Sequence, residues 1–287
     1  MTDDPGSLSP RGLPPSEASA VSVPTRPPPG FIVSASGVFE GEGERRFERG
    51  VRMLLWSLAR NASIGPIVMG LIASTAGRDR HVLVVPDRAP CGRWTRNDHA
   101  QPFSVSGVDI GARVLYTPRC WERGGIFDAR VVLFHELTHA LRHLTGSWTG
   151  ASRSDCYRNV EEFHSTTLSN VLRSELGLPL RLGYTFGDRT FEDLLARIRR
   201  EAASVEPSVT TTGSGMTFRD SGSRTFQDDT VLNPPPTERQ LRDFSADFAG
   251  RHPAVAGLFN ETGSLARQIA SVPWSSAPFN PYRASGG

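Results

Sequence analysis

Lysine does not occur in this chain of 287 residues, and all 32 of its Lys/Arg positions are arginine. Side-chain ubiquitin acceptors are therefore absent. A GC-rich genome favouring arginine codons accounts for this, as does selection in a protein that works inside a eukaryotic cell. Scarce isoleucine beside abundant valine and leucine agrees with the first account. Cysteine is rare too. Cys91, Cys120 and Cys156 are odd in number and far apart, which argues against a disulfide framework, and no CxxC pair offers a structural zinc site. Buried free thiols in a reducing compartment are expected of them. No apolar run reaches bilayer length; the best, IGPIVMGLIASTAG, is short and broken by glycine and proline, so a soluble chain without a transmembrane segment is expected. A dominant charge is missing as well: at a net +2, no long-range field points to nucleic acid or an anionic membrane surface. The N-terminus lacks the basic start and apolar core of a secretory signal peptide.

What is present begins with a Ser/Pro-rich stretch, residues 1–30, that reads as disordered. Its composition suits the unfolded export signal of a bacterial injection system, and equally an ordinary tail. In ERRFERGVRMLLWSLAR, Phe47, Val51, Leu54, Leu55 and Leu58 form the stripe of an amphipathic helix. A second helix restarts with Ser63 or Gly65 as cap and Pro66 in its first turn. HVLVVP and GARVLYTP read as strands closed by Pro86 and Pro118, with a Gly- and Asp-bearing loop region between them. A helix over VVLFHELTHALRHL buries Phe134, Leu137, Leu141 and Leu144 and ends at Gly146. Another over NVEEFHSTTLSNVLRSELG buries Val160, Phe163, Leu168, Val171 and Leu172 and stops at Gly177. One more is expected over Phe191 to Ala203. Beyond residue 205 the composition turns to Ser, Thr and Gly and reads as linker, with a late helix around TERQLRDFSADFAG and a loose end from SVPWSSAP onward. The resulting division is a leader over 1–30, a main folded domain over 31–205, and a partly disordered C-terminal region over 206–287.

The chemistry lies in HELTH. On a helix, residues i and i+4 share a face, so His135 and His139 can reach one ion. Zinc takes neutral imidazole nitrogens and, in catalytic sites, keeps one of four positions for water. A glutamate next to the first histidine then stands beside that water as general base, the place of Glu136. Chance alone would put HExxH in roughly one chain in a hundred of this length, but here it falls mid-helix with an apolar seam opposite. His143 is too far along for the same ion, about 12 Å of rise from His135, and reads as surface or as an outer neighbour of the site. The HExxHxxGxxH pattern fails, because Arg142 and Thr145 occupy its Gly and His places. The third ligand must then come from a following helix, where Glu161 and Glu162 point about 100° apart. Only one can face the ion, and the other can orient a ligand histidine. His164 lies on the wrong side.

HELTHALRHLTG, EEFHSTTLSN and LRSELGLPLRLGY together resemble the NleD-type zinc endopeptidases, type III secretion effectors of enteric and plant pathogens that include the XopG-type effectors. The likeness spans roughly residues 40–190. The order HExxH, Glu-Glu, Arg-x-x-Tyr is also similar to the clostridial neurotoxin light chains. The resemblance implies His135, His139 and Glu162 as Zn2+ ligands, Glu136 as base, Glu161 as the outer carboxylate, and Arg181 and Tyr184 as donors to the transition state. It further implies an α+β, zincin-like fold: a small twisted sheet, the HExxH helix beneath it, and a helical C-terminal part bringing Glu162. Delivery into the host cytosol by type III secretion, a host signalling protein as substrate (kinases by resemblance alone), an export chaperone at the N-terminus and a monomeric state complete the expectation. The alternative is a zinc-stabilised, non-catalytic module that occupies a host partner. Such a module has no use for Glu136. A hydrolase of small peptides is a second alternative.

Overall fold

The computed structural model describes residues 24–35, 37–76, 80–87, 93–97, 103–105, 108–116, 128–153, 157, 159–178, 180–181, 218–219, 225–226, 236–255 and 265–285. In chain order the elements are β1 (Phe31–Val33), α1 (Glu42–Asn61), α2 (Ile64–Ala76), β2 (His81–Val85), β3 (Arg93–Asn97), β4 (Phe103–Val105) and β5 (Val108–Tyr116). There follow α3 (Ala129–Leu144), α4 (Val160–Glu175), the short antiparallel pair β6 (Phe218–Arg219) and β7 (Thr225–Phe226), then α5 (Glu238–Arg251), α6 (Leu265–Ser271) and α7 (Pro281–Ser285). This is a mixed α+β architecture. The expected helix over Phe191 to Ala203, the three cysteines, and most of the leader lie outside the described residues.

The main sheet runs in the order β1–β2–β5–β3, with β4 on the remaining length of β5. β1, β2 and β5 are parallel, and β3 and β4 pair antiparallel with β5. Val82, Leu83 and Val84 are buried whichever way they point, as a central parallel strand with both faces covered requires. The expectation of a loop region between the two apolar strands is corrected: it contains β3 and β4.

Helix α1 buries Phe47, Val51, Leu55 and Leu58, and keeps Leu54 half-buried at the edge of the stripe. Helix α2 begins after Ser63 as expected, but the Glu175 carboxylate caps it, accepting from the amides of Ser63 and Ile64. Helix α3 lies against β5 and β3. Its N-cap is Asp128, which accepts from the Arg130 amide at 2.9 Å, and Tyr116 at the end of β5 donates its hydroxyl to Ala129 O at 2.7 Å. A Cβ on Gly111 would come within 2.4 Å of Leu144 Cδ2, so the strand needs glycine there for the last turn of α3 to approach.

Both central helices end in the same motif. Gly146 (φ 72) and Gly177 (φ 65) take the left-handed conformation that glycine accepts without a Cβ penalty. The amides of Gly146 and Ser147 return to His143 O and Arg142 O; those of Gly177 and Leu178 return to Ser174 O and Arg173 O. The expected one-sided seams are an underestimate. Helix α3 is buried along almost its whole length, and α4 buries Thr166, Thr167, Ser169, Asn170 and Arg173 beside its apolar residues.

The C-terminal end is not loose, and that expectation is also corrected. Helix α5 starts in a capping box, Gln240 N to Thr237 Oγ1 and Thr237 N to Gln240 Oε1. Phe248 lies parallel to Phe163 with ring centroids 6.1 Å apart, and Phe279 closes the cluster at 5.6 Å from Phe248. Ser174 Oγ accepts from Phe279 N, Ser245 Oγ accepts from Asn280 N, and Asn280 Nδ2 donates to Ile269 O. Irregular backbone is thereby satisfied inside the core that also holds α1–α4. Phe279→Ala is expected to cost about 3–5 kcal/mol, the usual range for a buried phenylalanine. Urea unfolding checks this; a change of under about 0.5 kcal/mol, typical of surface positions, would mean that the segment is not docked.

Candidate metal centre

Helices α3 and α4 are joined by residues 145–159, and the described ends of this connection are fixed by hydrogen bonds. Ser147 N and Trp148 N donate back to Arg142 O, and Val160 N donates to Ala151 O. Asn159 caps α4 by accepting from the Glu162 amide at 2.8 Å, which holds the first turn and its two carboxylates in place. Both glutamates stand where the helix dipole favours negative charge.

Of the sequence-predicted site residues, His135, His139 and Glu162 are brought together, and one ligand atom from each lies within 4.8 Å of the others. His135 Nε2 is 3.2 Å from His139 Nε2 and 3.2 Å from Glu162 Oε2, while His139 Nε2 is 3.8 Å from Glu162 Oε2. Zinc with bonds of about 2.0–2.1 Å in a tetrahedron spaces its donors about 3.3–3.4 Å apart. From those three sides, the equidistant point in the donors' own plane lies about 2.0 Å from each, and an ion slightly above that plane keeps bonds of about 2.0–2.1 Å. Two imidazoles and one carboxylate on such a triangle form a group that could hold a metal ion. Among the described residues it is the one such group.

The electrostatics agree with a cation site. Burial pushes His135 below its usual pKa, and its hydrogen bond with Glu162 only partly offsets this. Burial opposes charge on His139 as well, but Glu161 and Glu162 outweigh it and lift the group to about 10. Two imidazolium ions at 3.2 Å would repel, so His135 and His139 do not both carry charge, and a cation bound between them must displace any proton on the facing nitrogens. Burial would raise both carboxyls. The two histidines instead hold Glu162 well below the carboxylate range, and the neighbouring His139 together with the hydrogen-bonded Arg142 bring Glu161 down to about 2.

Glu136 is buried, and its charge favours protonation of both histidines. Glu161 turns away from the triangle. Its carboxylate accepts from Arg142 Nε at 2.9 and 2.8 Å and from Thr149 N at 2.8 Å, and stands 3.8 Å from His139 Nδ1. Ser165 Oγ lies 3.1 Å from the same nitrogen. His143, for which a surface position was one expectation, is buried and stacks on Trp148 with centroids 5.2 Å apart. His164 is outside the cluster; burial, reinforced by Arg142, depresses it to about 3 and keeps it neutral.

The backbone of Arg181 is clamped by the buried Asn170, whose side chain accepts from Arg181 N at 2.7 Å and donates to Arg181 O at 2.9 Å. Its charge acts on Arg173, which burial first and Arg181 second bring down to about 10. Tyr184 lies outside the described residues. Arg142, Ser165 and Asn170 were not anticipated. The available signal was an arginine one turn beyond His139 with no local partner of opposite charge.

No known family, curated protein or solved structure matches the chain.

Proposed function

We propose that this chain is a zinc-dependent endopeptidase with a zincin-like active site, delivered into a host cell by a type III secretion apparatus to cut a host signalling protein. The observation that carries the catalytic part is the buried Glu136 carboxylate beside a His/His/Glu donor triangle of zinc dimensions. His135, His139 and Glu162 would hold the zinc, which would supply a Lewis acid for a peptide carbonyl and a more acidic water. Glu136 accepts the proton of the attacking water and passes it to the leaving amine, a role that its place next to His135 suits. Arg181 and Tyr184 donate to the oxyanion that develops on the carbonyl oxygen, a stabilisation greater in the transition state than in the ground state. Asn170 fixes the Arg181 backbone, which would support such a role. Delivery and the host substrate are supported by the likeness of the motifs and by the Ser/Pro-rich leader, and kinases by the likeness alone.

The test is a map of new protein N-termini in host cells that express the chain, against cells expressing Glu136→Ala. Cleavage of one or a few proteins, absent from the control, is the expected result. Identical maps would reject the endopeptidase and favour a module that acts by binding.

A further inference from the structure

We propose that Arg142 is a positioning residue for the metal centre, acting through Glu161 on His139; this rests on the reading of His135, His139 and Glu162 as a metal site. Arg142 stands three residues beyond His139 on α3 and is almost wholly buried. Among the described residues its guanidinium reaches Glu161 and Ser147. Nε donates to both Glu161 oxygens, at 2.9 and 2.8 Å, and Nη2 donates to Ser147 O at 2.7 Å. Thr149 N adds a third hold on Glu161, at 2.8 Å.

Glu161 so fixed presents Oε2 to His139 Nδ1 at 3.8 Å, while Ser165 Oγ stands 3.1 Å from that nitrogen. An anion and a hydroxyl on the Nδ1 side orient the ring and turn the Nε2 lone pair toward the other donors, 3.2 Å from His135 Nε2. Ligand histidines are commonly oriented by a carboxylate in this way, and a buried carboxylate needs its own partner to stay ionised and in place. Arginine suits the position because its planar fork spans Glu161 and Ser147 together, which a single ammonium does not. The same guanidinium thus ties α3, the 147–149 segment and the first turn of α4 into one frame behind the ligand histidine.

The test uses the full chain, with zinc affinity measured by chelator competition, the absorption spectrum of the cobalt-substituted protein, and urea unfolding. The variants are Arg142→Met, Glu161→Gln and the two together. Each single change is expected to weaken zinc by about 10–100-fold. The double variant should be within about threefold of the weaker single one, because both break the same chain of contacts. The cobalt bands of Arg142→Met should move, since the orientation of a ligand has changed. A folded Arg142→Met with zinc affinity within about threefold of the parent, or losses that multiply in the double variant, would reduce Arg142 to a structural ion pair. Should Arg142→Met not fold, Arg142→Gln, which keeps an amide donor toward Glu161, is read by the same criteria. A parent chain that binds no zinc would remove the site reading itself, a result distinct from losses confined to the variants.

Discussion

Glu136→Gln is expected to bind zinc with the parent's stoichiometry and to lose turnover by about 10²–10⁴, the usual worth of a positioned general base. The glutamine is the same size and fills the same buried place, so packing around α3 is preserved. Its amide cannot accept the proton of an attacking water. The expected loss is about 3–5 kcal/mol of transition-state stabilisation, and it should appear in kcat rather than KM. Glu136 is not one of the three donors in the triangle, so chelator competition should separate the two roles. Turnover near the parent level with zinc bound would reject Glu136 as the base; zinc lost together with turnover would make it a ligand.

Removing a donor should act in the opposite order, on the metal first. His135→Ala and His139→Ala each leave two of three donors and are expected to lose stoichiometric zinc, with activity falling as a consequence. Stability should fall as well. A ligand present at a thousand times its dissociation constant stabilises the native state by about 4 kcal/mol, which is lost when the site is broken. For a chain of this size that is a drop in melting temperature on the order of 10 °C. The difference from Glu136→Gln is diagnostic: added zinc should raise the melting temperature of the parent and of Glu136→Gln, and leave both histidine variants unmoved. Thermal melts with and without zinc check this. A histidine variant that still responds to zinc in the micromolar range would contradict the donor set.

The part of this site that was legible in the sequence is the part written locally. His135 and His139 are four apart on a helix whose apolar seam gives its phase, and the Glu161–Glu162 pair sits at the start of the next helix. Helix geometry allows only one of that pair on the ion, and the likeness to zinc endopeptidases implies Glu162. What the sequence did not reveal depends on distant partners. Arg142 has no partner of opposite charge nearby in the sequence, and Glu161, 19 positions later, makes its burial tolerable. Asn170 becomes a clamp only because residue 181 comes back to it.

The sheet edge and the C-terminal end were missed for related reasons. RWTRN carries the charged residues by which short edge strands avoid further pairing, and so lacks an apolar alternation to read. SVPWSSAPFNPYR has the composition of a loop, and its Phe279, Asn280 and Tyr282 follow no period. They are buried because Ser174 and Ser245, 105 and 35 residues away, satisfy the backbone that carries them. Periodicity finds regular elements, and this segment is irregular structure held by side chains.

The most direct measurement of the central claim, that His135, His139 and Glu162 hold one zinc, is X-ray absorption at the zinc edge of the purified chain. One zinc per chain should show a first shell of nitrogen and oxygen at about 2.0–2.1 Å, outer-shell scattering from two imidazoles, and no sulfur. The imidazole signal should disappear with the metal in His139→Ala. A sulfur shell at about 2.3 Å, or a first shell without imidazole, would place the metal elsewhere and contradict the account.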